Sequence, residues 1–340
     1  MTLRRSSAWL TAAWLALAGC SVGPTGARPK ATPSPSGVPR PSPSPSPSGY
    51  LEFPAAGPGD LAAASTGTVW FTGREANYVG RINASGERVL FTTPDPAARR
   101  GGVVVGPDGA IWFSELVGGR IGRLDPHGGF TMFPLPRPAS VANLAVGPDG
   151  NLWFCESETN LVGRITPAGA VTEFPVPTRA ADTRYIANGP DGALWFAEHG
   201  GNRIGRVTTA GQITEYPLPA AGSGPVGIAL GGDGNLWFTE RDGNRVGRIT
   251  PAGEVVEYPL PTAAGAPYAI AAAPDGSLWF TESAPDANRV ARIAATGEIT
   301  EYGAPSPGAG LAGVAVAPDG AVWFAESAAG QIARLAPPPG

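Results

Sequence analysis

The chain has 340 residues and a formal net charge of −4, with 24 lysines and arginines against 28 aspartates and glutamates. This mild acidity leaves no basic surface of the kind that nucleic acids require, so we expect no nucleic-acid partner. Only two cysteines occur, Cys20 and Cys155, which excludes a fold held together by a disulfide framework.

Residues 1–19 have the pattern of a bacterial export signal. Arg4 and Arg5 precede an apolar run, residues 8–18, which is too short to cross a bilayer as a helix. Small residues lead directly to Cys20 in the segment LAGC, which resembles a lipobox. We therefore expect a lipoprotein signal peptide, lipidation of Cys20 and a location on the outer face of the cell membrane. The alternative is an ordinary signal peptide with a chance cysteine.

Residues 20–49 are predicted to form a linker. They are rich in proline and serine, as in the segment PSPSPSPSG, and such a composition has nothing to bury. We expect a disordered chain with polyproline character. At ~3 Å per residue, the linker would reach roughly 90 Å. It would hold a folded domain, residues 50–340, away from the membrane surface.

The domain contains one unit repeated seven times. A Trp-Phe pair recurs at intervals of 41 to 44 residues, and every tryptophan after the signal peptide belongs to the series. The pairs begin at Trp70, Trp112, Trp153, Trp195, Trp237, Trp279 and Trp323. A fixed period of this length is typical of solenoids and propellers.

One period, residues 224–262, predicts four short strands. They cover residues 226–230, 235–240, 245–250 and 254–258, and glycine-containing turns separate them. Four antiparallel strands in about 42 residues are typical of a β-propeller blade. The sequence therefore predicts an all-β fold, a seven-bladed β-propeller. A linear solenoid is the alternative.

The two ends of the repeat predict how the ring closes. The seventh period stops after its third strand, residues 331–335, whereas residues 50–54 resemble a fourth strand with no blade before it. We expect this N-terminal strand to complete the last blade. We also expect the domain to be a monomer.

Polar residues that recur from blade to blade are expected to belong to the scaffold. A glutamate follows the Trp-Phe pair in six blades, and an arginine recurs in all seven third strands. The glutamates are Glu115, Glu156, Glu198, Glu240, Glu282 and Glu326. They are predicted to form an acidic rim around one mouth of the central channel. One or two members of such a rim can take part in binding.

Positions where the repeat changes on that face are better candidates for a ligand site. Arg184, with Tyr185 beside it, and Tyr268 stand near the start of first strands, where the other blades carry Gly, Ala or Val. His199 falls in a loop on the same face. The predicted ligand site comprises Arg184, Tyr185, His199, Glu240, Tyr268 and Glu282. Ordinary surface variation is the alternative.

The chain offers few catalytic groups. His127 and His199 are its only histidines, and His127 falls in a turn on the opposite face, where we expect it to be exposed. No cluster of His, Cys and Asp has the spacing of metal ligands. His199 is therefore the candidate for a catalytic base.

The repeat unit PxGIxxGxDGxLWFTExxxNxIGRITxxGxxxEYPLPT is similar to that of the streptogramin B lyases, also called virginiamycin B lyases. The resemblance covers residues 50–340 and implies a seven-bladed propeller. It also implies Mg²⁺-dependent elimination at the ester of a cyclic depsipeptide antibiotic. A histidine would act as general base, and the metal would polarise the carbonyl.

At four positions to which the resemblance assigns a functional residue, this chain has a different residue. Tyr268 matches a substrate-contacting histidine, and Ala312 matches the catalytic histidine. Gly310 and Ser327 match the two metal-binding glutamates, which leaves Glu326 as the candidate metal ligand. An alanine cannot take up a proton, and a site that loses a carboxylate binds a metal weakly.

Three functional hypotheses follow from the sequence. In the first, a lipid-anchored, extracytoplasmic propeller binds a small molecule, peptide or protein at the channel mouth without elimination chemistry. In the second, the domain is a divergent C–O lyase or a hydrolase, with His199 as base and rim carboxylates holding Mg²⁺ or Ca²⁺. In the third, it is a spacer or protein scaffold.

Overall fold

The computed structural model describes residues 44–45 and 49–336, which form a ring of seven antiparallel β-sheets. No helix occurs in this part of the chain, so none has the length and apolarity needed to cross a membrane. The predicted signal peptide, Cys20 and most of the predicted linker lie outside the described residues. The prediction of an all-β, seven-bladed propeller is confirmed.

Each blade has four strands, and their order in the sheet goes from the central channel to the outer edge. Blade 1 contains β3 (Pro58–Ala63), β4 (Val69–Gly73), β5 (Tyr78–Ile82) and β6 (Arg88–Thr92). Blade 2 contains β7 (Arg100–Val105), β8 (Ile111–Glu115), β9 (Arg120–Leu124) and β10 (Phe130–Pro134). Blade 3 contains β11 (Val141–Val146), β12 (Leu152–Glu156), β13 (Leu161–Ile165) and β14 (Val171–Pro175). Blade 4 contains β15 (Thr183–Asn188), β16 (Ala193–Glu198), β17 (Arg203–Thr208) and β18 (Ile213–Pro217).

The remaining three blades repeat this order. Blade 5 contains β19 (Pro225–Leu230), β20 (Leu236–Glu240), β21 (Arg245–Ile249) and β22 (Val255–Pro259). Blade 6 contains β23 (Pro267–Ala272), β24 (Leu278–Glu282), β25 (Arg289–Ile293) and β26 (Ile299–Gly303). Blade 7 contains β27 (Leu311–Val316), β28 (Val322–Glu326) and β29 (Gln331–Leu335), and its fourth strand is β2 (Tyr50–Pro54).

The ring closes as the sequence predicts. Strand β2 pairs antiparallel with β29, with Tyr50 opposite Leu335 and Pro54 opposite Gln331. A further two-residue strand, β1 (Ser44–Pro45), pairs with the outer side of β2. The first and last parts of the domain therefore share one sheet, and closure covers the two blade faces that an open array would leave exposed.

The Trp-Phe pair explains why the blades stack. Trp237 is fully buried and packs with Ile270 and Leu278 of blade 6, whereas Phe238 packs with Trp195 of blade 4. Successive side chains of a strand point to opposite faces, so one pair reaches both neighbouring blades. Burying an aromatic side chain of this size stabilises the fold by about 1.5–3 kcal/mol, and the ring repeats this contact at each seam.

The recurring arginine belongs to the scaffold, as predicted. Trp237 donates its indole N–H to Oδ1 of Asp233 at 3.1 Å, and the Arg248 guanidinium lies 5.6 Å from the Trp237 ring and 3.9 Å from Oδ2 of Asp233. The side chain thus joins the third strand to the turn between the first two strands. Cation–π contact and ion pairing both favour this position.

The recurring asparagine fastens the connection to the next blade. Asn244 has a φ of 54°, its Oδ1 accepts the Gly265 N–H at 2.6 Å, and its Nδ2 donates to the Thr262 carbonyl at 2.9 Å. Asparagine tolerates the left-handed conformation that this loop requires. Cys155 is buried inside a blade.

Candidate functional site

Every first strand carries a β-bulge near its start, and these bulges shape one mouth of the channel. In β15, Thr183 pairs with Glu198 and Ile186 pairs with Phe196. The intervening pair, Arg184 and Tyr185, therefore opposes a single residue of β16. A bulge re-aims side chains and breaks their ladder pairing. As a result, two consecutive residues from each blade are available to line the mouth.

A small pocket of about 60 Å³ lies at this mouth. We call it the mouth pocket. Most of its lining comes from bulge residues, and small side chains such as Gly59, Gly101 and Ala142 leave its space open. The larger lining side chains are Asp60, Arg74, Arg100, Leu116, Arg184, Tyr185 and Tyr268. The structure thus brings together three of the predicted site residues, Arg184, Tyr185 and Tyr268.

A second cavity of about 260 Å³ continues into the channel. Its walls are mainly apolar residues of the first strands, with Asp60, Asn143 and Tyr185 as polar exceptions. Asp60 and Tyr185 line both spaces. They therefore stand at the boundary between the mouth pocket and the channel.

Two tyrosines from different blades form an aromatic pair at this boundary. Tyr185 and Tyr268 meet edge to face, with ring centroids 6.0 Å apart. Burial, followed by the charge of nearby Asp60, raises the pKa of Tyr185 well above its usual value. Its hydroxyl therefore keeps its proton and can donate a hydrogen bond.

Asp60 is a functional candidate that the sequence analysis missed. Its Oδ2 accepts hydrogen bonds from the Val103 N–H at 3.2 Å and from Asn143 Nδ2 at 3.3 Å. Burial outweighs these bonds and raises the pKa of Asp60 to about 7. A carboxyl group in such surroundings changes its protonation state near neutral pH, which is common at functional sites.

Three guanidinium groups line the mouth pocket, and they differ in their partners. Arg100 is fully buried and donates to Asn77 Oδ1 at 2.9 Å and to the Asp95 carbonyl at 2.6 Å. Arg184 forms an ion pair with Asp182 at 2.6 Å. For Arg74, no carboxylate among the described residues lies within 4.0 Å.

His199 lies between two aspartates. Its Nδ1 lies 3.3 Å from Oδ2 of Asp182 in its own blade, and its Nε2 lies 3.1 Å from Oδ2 of Asp242 in blade 5. It does not line the mouth pocket, but Asp182 connects it to Arg184. Among the described residues, these two carboxylates are the ones that lie within 4.0 Å of its imidazole nitrogens. His127 is exposed in the turn between β9 and β10, as predicted.

The repeated glutamates lie inside the blades, and no exposed acidic rim is formed. Glu240 and Glu282 are fully buried, and neither lines the mouth pocket. Glu240 accepts a hydrogen bond from Arg245 at 3.0 Å. Burial, together with the neighbouring Glu301, raises the pKa of Glu282 to about 8. The segment that leads into blade 6 covers the Glu282 side chain, because a Cβ added at Gly265 would lie 2.7 Å from its Oε2.

The residues that match the lyase machinery do not provide a magnesium site. Burial, with Glu52 beside it, raises the pKa of Glu326, whose Oε1 accepts the Ser306 N–H at 3.3 Å. The Ser327 hydroxyl donates to the Pro58 carbonyl. Gly310 has a φ of 62° and no side chain to offer. No group of three or more His, Cys, Asp or Glu residues in the described part of the chain converges as metal ligands would.

Seven stacked four-stranded blades around a central channel, with a polar pocket at one mouth, define a β-propeller. The model of the virginiamycin B lyase family matches residues 49–335, and the chain belongs to this family. A comparison with curated protein sequences gives no match.

Solved structures of lyases are similar over the whole domain. Selenomethionine-substituted virginiamycin B lyase from Staphylococcus aureus has 36% sequence identity and a TM-score of 0.80, over 84% of this chain and 98% of that one. A streptogramin B lyase has 37% identity and a TM-score of 0.79, over 84% and 96% of the two chains. A catalytically inactive His-to-Ala variant of the S. aureus enzyme with quinupristin also has 36% identity and a TM-score of 0.80, over 84% and 98%.

Proposed function

We propose that the protein is a lipid-anchored, extracytoplasmic propeller that binds a ligand in the mouth pocket and does not catalyse the elimination expected of its family. The observation that carries this proposal is Ala312. It lines the mouth pocket at the position that the resemblance assigns to the catalytic histidine, and its methyl group cannot accept a proton. The inactive His-to-Ala variant of the S. aureus lyase supports the same expectation.

The elimination reaction can be tested directly. We would incubate the purified protein with quinupristin and Mg²⁺ and follow the linear product by mass spectrometry, with the S. aureus lyase as positive control. We expect linear product only in the control reaction. A linear product whose formation stops on adding a chelator would overturn the proposal.

The lipid anchor is proposed from the sequence of residues 1–20. Cells producing the native chain and a Cys20→Ala variant would be separated into membrane and soluble fractions. We expect the native protein in the membrane fraction, released by detergent, and the variant in the soluble fraction or the medium. Equal distribution of the two proteins would contradict lipidation at Cys20.

A second candidate function, a divergent lyase or hydrolase, is favoured by the surroundings of His199. An aspartate that accepts a hydrogen bond from one imidazole nitrogen orients the ring and fixes its tautomer, as in many catalytic bases. Asp182 lies at that distance from Nδ1. If quinupristin or an ester substrate is converted, loss of conversion in His199→Ala would support this function. Retained conversion would remove His199 from the mechanism.

A further inference from the structure

Arg74 follows a change in the repeat of blade 1. Six blades carry a glutamate at the end of the second strand, whereas blade 1 carries Gly73. The Tyr78 ring occupies the space beside it, because a Cβ added at Gly73 would lie 2.8 Å from that ring. Glu75 is already paired with Arg99 at 2.6 Å. Among the described residues, Arg74 has no carboxylate within 4.0 Å.

An arginine in this position is suited to binding an anion. Arg74 is half-buried in the wall of the mouth pocket, so part of its hydration is lost without a protein carboxylate to replace it. A guanidinium group binds carboxylates and phosphates through two parallel hydrogen bonds. The other two arginines of the pocket already donate to protein groups, as described above.

The neighbours of Arg74 favour an anion with one negative charge. The Tyr185 hydroxyl lies near enough to Arg74 for that charge to affect its pKa, and it can donate a hydrogen bond. Asp60 lines the same pocket, and below a pH of about 7 its carboxyl is neutral. A neutral carboxyl can share its proton with a carboxylate. Phosphate has four oxygens in a tetrahedron and takes on a second negative charge near neutral pH, and about 60 Å³ accommodates these less well than a planar carboxylate.

We propose that the mouth pocket binds the carboxylate of a small molecule or of a peptide end, with Arg74 as its ion-pair partner and the Tyr185 hydroxyl as a hydrogen-bond donor. The inference rests on the ligand-binding function proposed above and adds the chemical class of the ligand. The space admits the carboxylate itself, and the remainder of the ligand lies toward the open mouth. Ala312, which stands where the resemblance places a histidine, leaves space for it at the mouth because its side chain is only a methyl group.

The test uses NMR spectra of the full-length, detergent-solubilised protein with labelled tyrosines. Tyr185→Phe and Tyr268→Phe variants assign the two resonances. Four probes are titrated at pH 6: N-acetylglycine, its neutral amide, the cation glycinamide and inorganic phosphate. We expect N-acetylglycine to shift both resonances with an affinity at least tenfold higher than that of the amide, and higher than that of phosphate.

Arg241 supplies a matched control. It follows Glu240 at the repeat position that Arg74 occupies in blade 1, on the same face, but it is exposed and does not line the pocket. We expect Arg74→Gln to weaken N-acetylglycine binding at least tenfold and Arg241→Gln to change it less than twofold. Circular dichroism checks that each variant is folded. Arg74→Lys keeps the charge without the planar fork and should bind with intermediate affinity, so it replaces Arg74→Gln if that variant unfolds.

The outcomes separate this inference from the proposed function. Equal affinity for the acid and the amide, tighter binding of phosphate, or equal effects of the Arg74 and Arg241 variants would overturn carboxylate recognition. A response to the amide or to glycinamide alone would overturn it as well, but would leave ligand binding at the mouth intact. If no probe shifts either tyrosine, both the inference and binding at this pocket are contradicted.

Discussion

Tyr185 of blade 4 meets Tyr268 of blade 6 edge to face, with ring planes at 86°. The two rings come from blades that are not neighbours, so they meet across the channel mouth. Backbone contacts hold one side of the pair in place, because the Thr239 hydroxyl of blade 5 donates to the Tyr268 carbonyl at 2.6 Å. The aromatic pair thus connects two blades of the propeller that are not neighbours.

The first prediction concerns the energy of this pair. Edge-to-face aromatic pairs contribute about 0.5–1.5 kcal/mol beyond simple burial. A double-mutant cycle with Tyr185→Leu, Tyr268→Leu and the double variant should give a coupling free energy in this range by urea denaturation. Leucine retains much of the apolar volume, so the coupling reports the ring contact. Strictly additive single effects would mean that the rings do not stabilise each other.

The architecture was predictable because its determinants repeat. A tryptophan that must pack on the next blade recurs at nearly constant spacing, and so does the glycine-containing turn before it. Ring closure was predictable from the unpaired strand at residues 50–54. The tryptophan and the turn depend on local sequence and on burial, and the chain repeats both in each of its seven blades.

The site was predictable only in part. Arg184, Tyr185 and Tyr268 stood out as large residues in a small-residue position, and the structure places them in one pocket. Asp60 and Arg74 were missed, because the bulge adds a second lining residue per strand and because Gly73 changes the charge balance of one blade only. The bulge leaves no sign in the periodic pattern. Gly73 is visible there as a missing glutamate, but the pattern does not show that Arg74 lines the pocket.

The predicted acidic rim differs from the structure for a physical reason. Strand periodicity places the glutamates at the correct end of each second strand. It does not predict that the crossover loops cover them, or that an outer-strand glutamate such as Glu301 lies beside Glu282. Burial is set by these loop contacts between blades, which the sequence of one strand cannot indicate.

The second prediction concerns the turn aspartates. Asp191 accepts the indole N–H of Trp195 at 3.1 Å and the Nε–H of Arg206 at 2.6 Å. Replacing it by alanine leaves both donors without their acceptor and should cost about 1–3 kcal/mol of unfolding free energy. The corresponding residue of blade 1 is Thr66, so Thr66→Ala is the control and should change stability by less than about 0.5 kcal/mol. Equal losses in the two variants would contradict the role assigned to Asp191.

The third prediction is the pH dependence of carboxylate binding. Burial raises the pKa of Asp60 to about 7. Its carboxyl accepts hydrogen bonds from the Val103 N–H and from Asn143. The titratable and charged side chains that share its pocket are Arg74, Arg100, Arg184, Tyr185 and Tyr268. The arginines stay charged and Tyr185 stays protonated, so Asp60 is the titrating group among the side chains that line the pocket. Affinity for N-acetylglycine should fall as pH rises from 6 to 8, because ionised Asp60 repels the ligand.

Asp60→Asn isolates this effect. The asparagine is neutral at every pH, so the variant should bind N-acetylglycine with an affinity that is nearly constant between pH 6 and 8. Calorimetric titrations at several pH values measure both proteins. A native affinity that is constant over this range, or a variant that keeps the full pH dependence, would exclude Asp60 as the titrating group.

The last prediction concerns stability and Glu282. The pKa of this carboxyl is raised to about 8 in the folded state by burial and by Glu301, against an ordinary value of 4.5. The folded protein therefore holds a proton that the unfolded chain releases. The contribution of Glu282 to stability is complete below about pH 4.5 and is lost as pH rises through about 8. We expect unfolding free energy to decline over this window.

Glu282→Gln removes the titrating group and keeps its shape and a donor toward Glu301. Its stability relative to the native protein should rise by about 1–3 kcal/mol between pH 5 and pH 8. Glu240→Gln is the comparison, because burial also raises the pKa of Glu240 while Arg245 pairs with it at 3.0 Å. The amide loses this ion pair, so its gain in relative stability with rising pH should be smaller than that of Glu282→Gln. Urea denaturation at pH 5, 6.5 and 8 provides the comparison. A stability difference for Glu282→Gln that does not change with pH would show that Glu282 is ionised in the folded protein throughout.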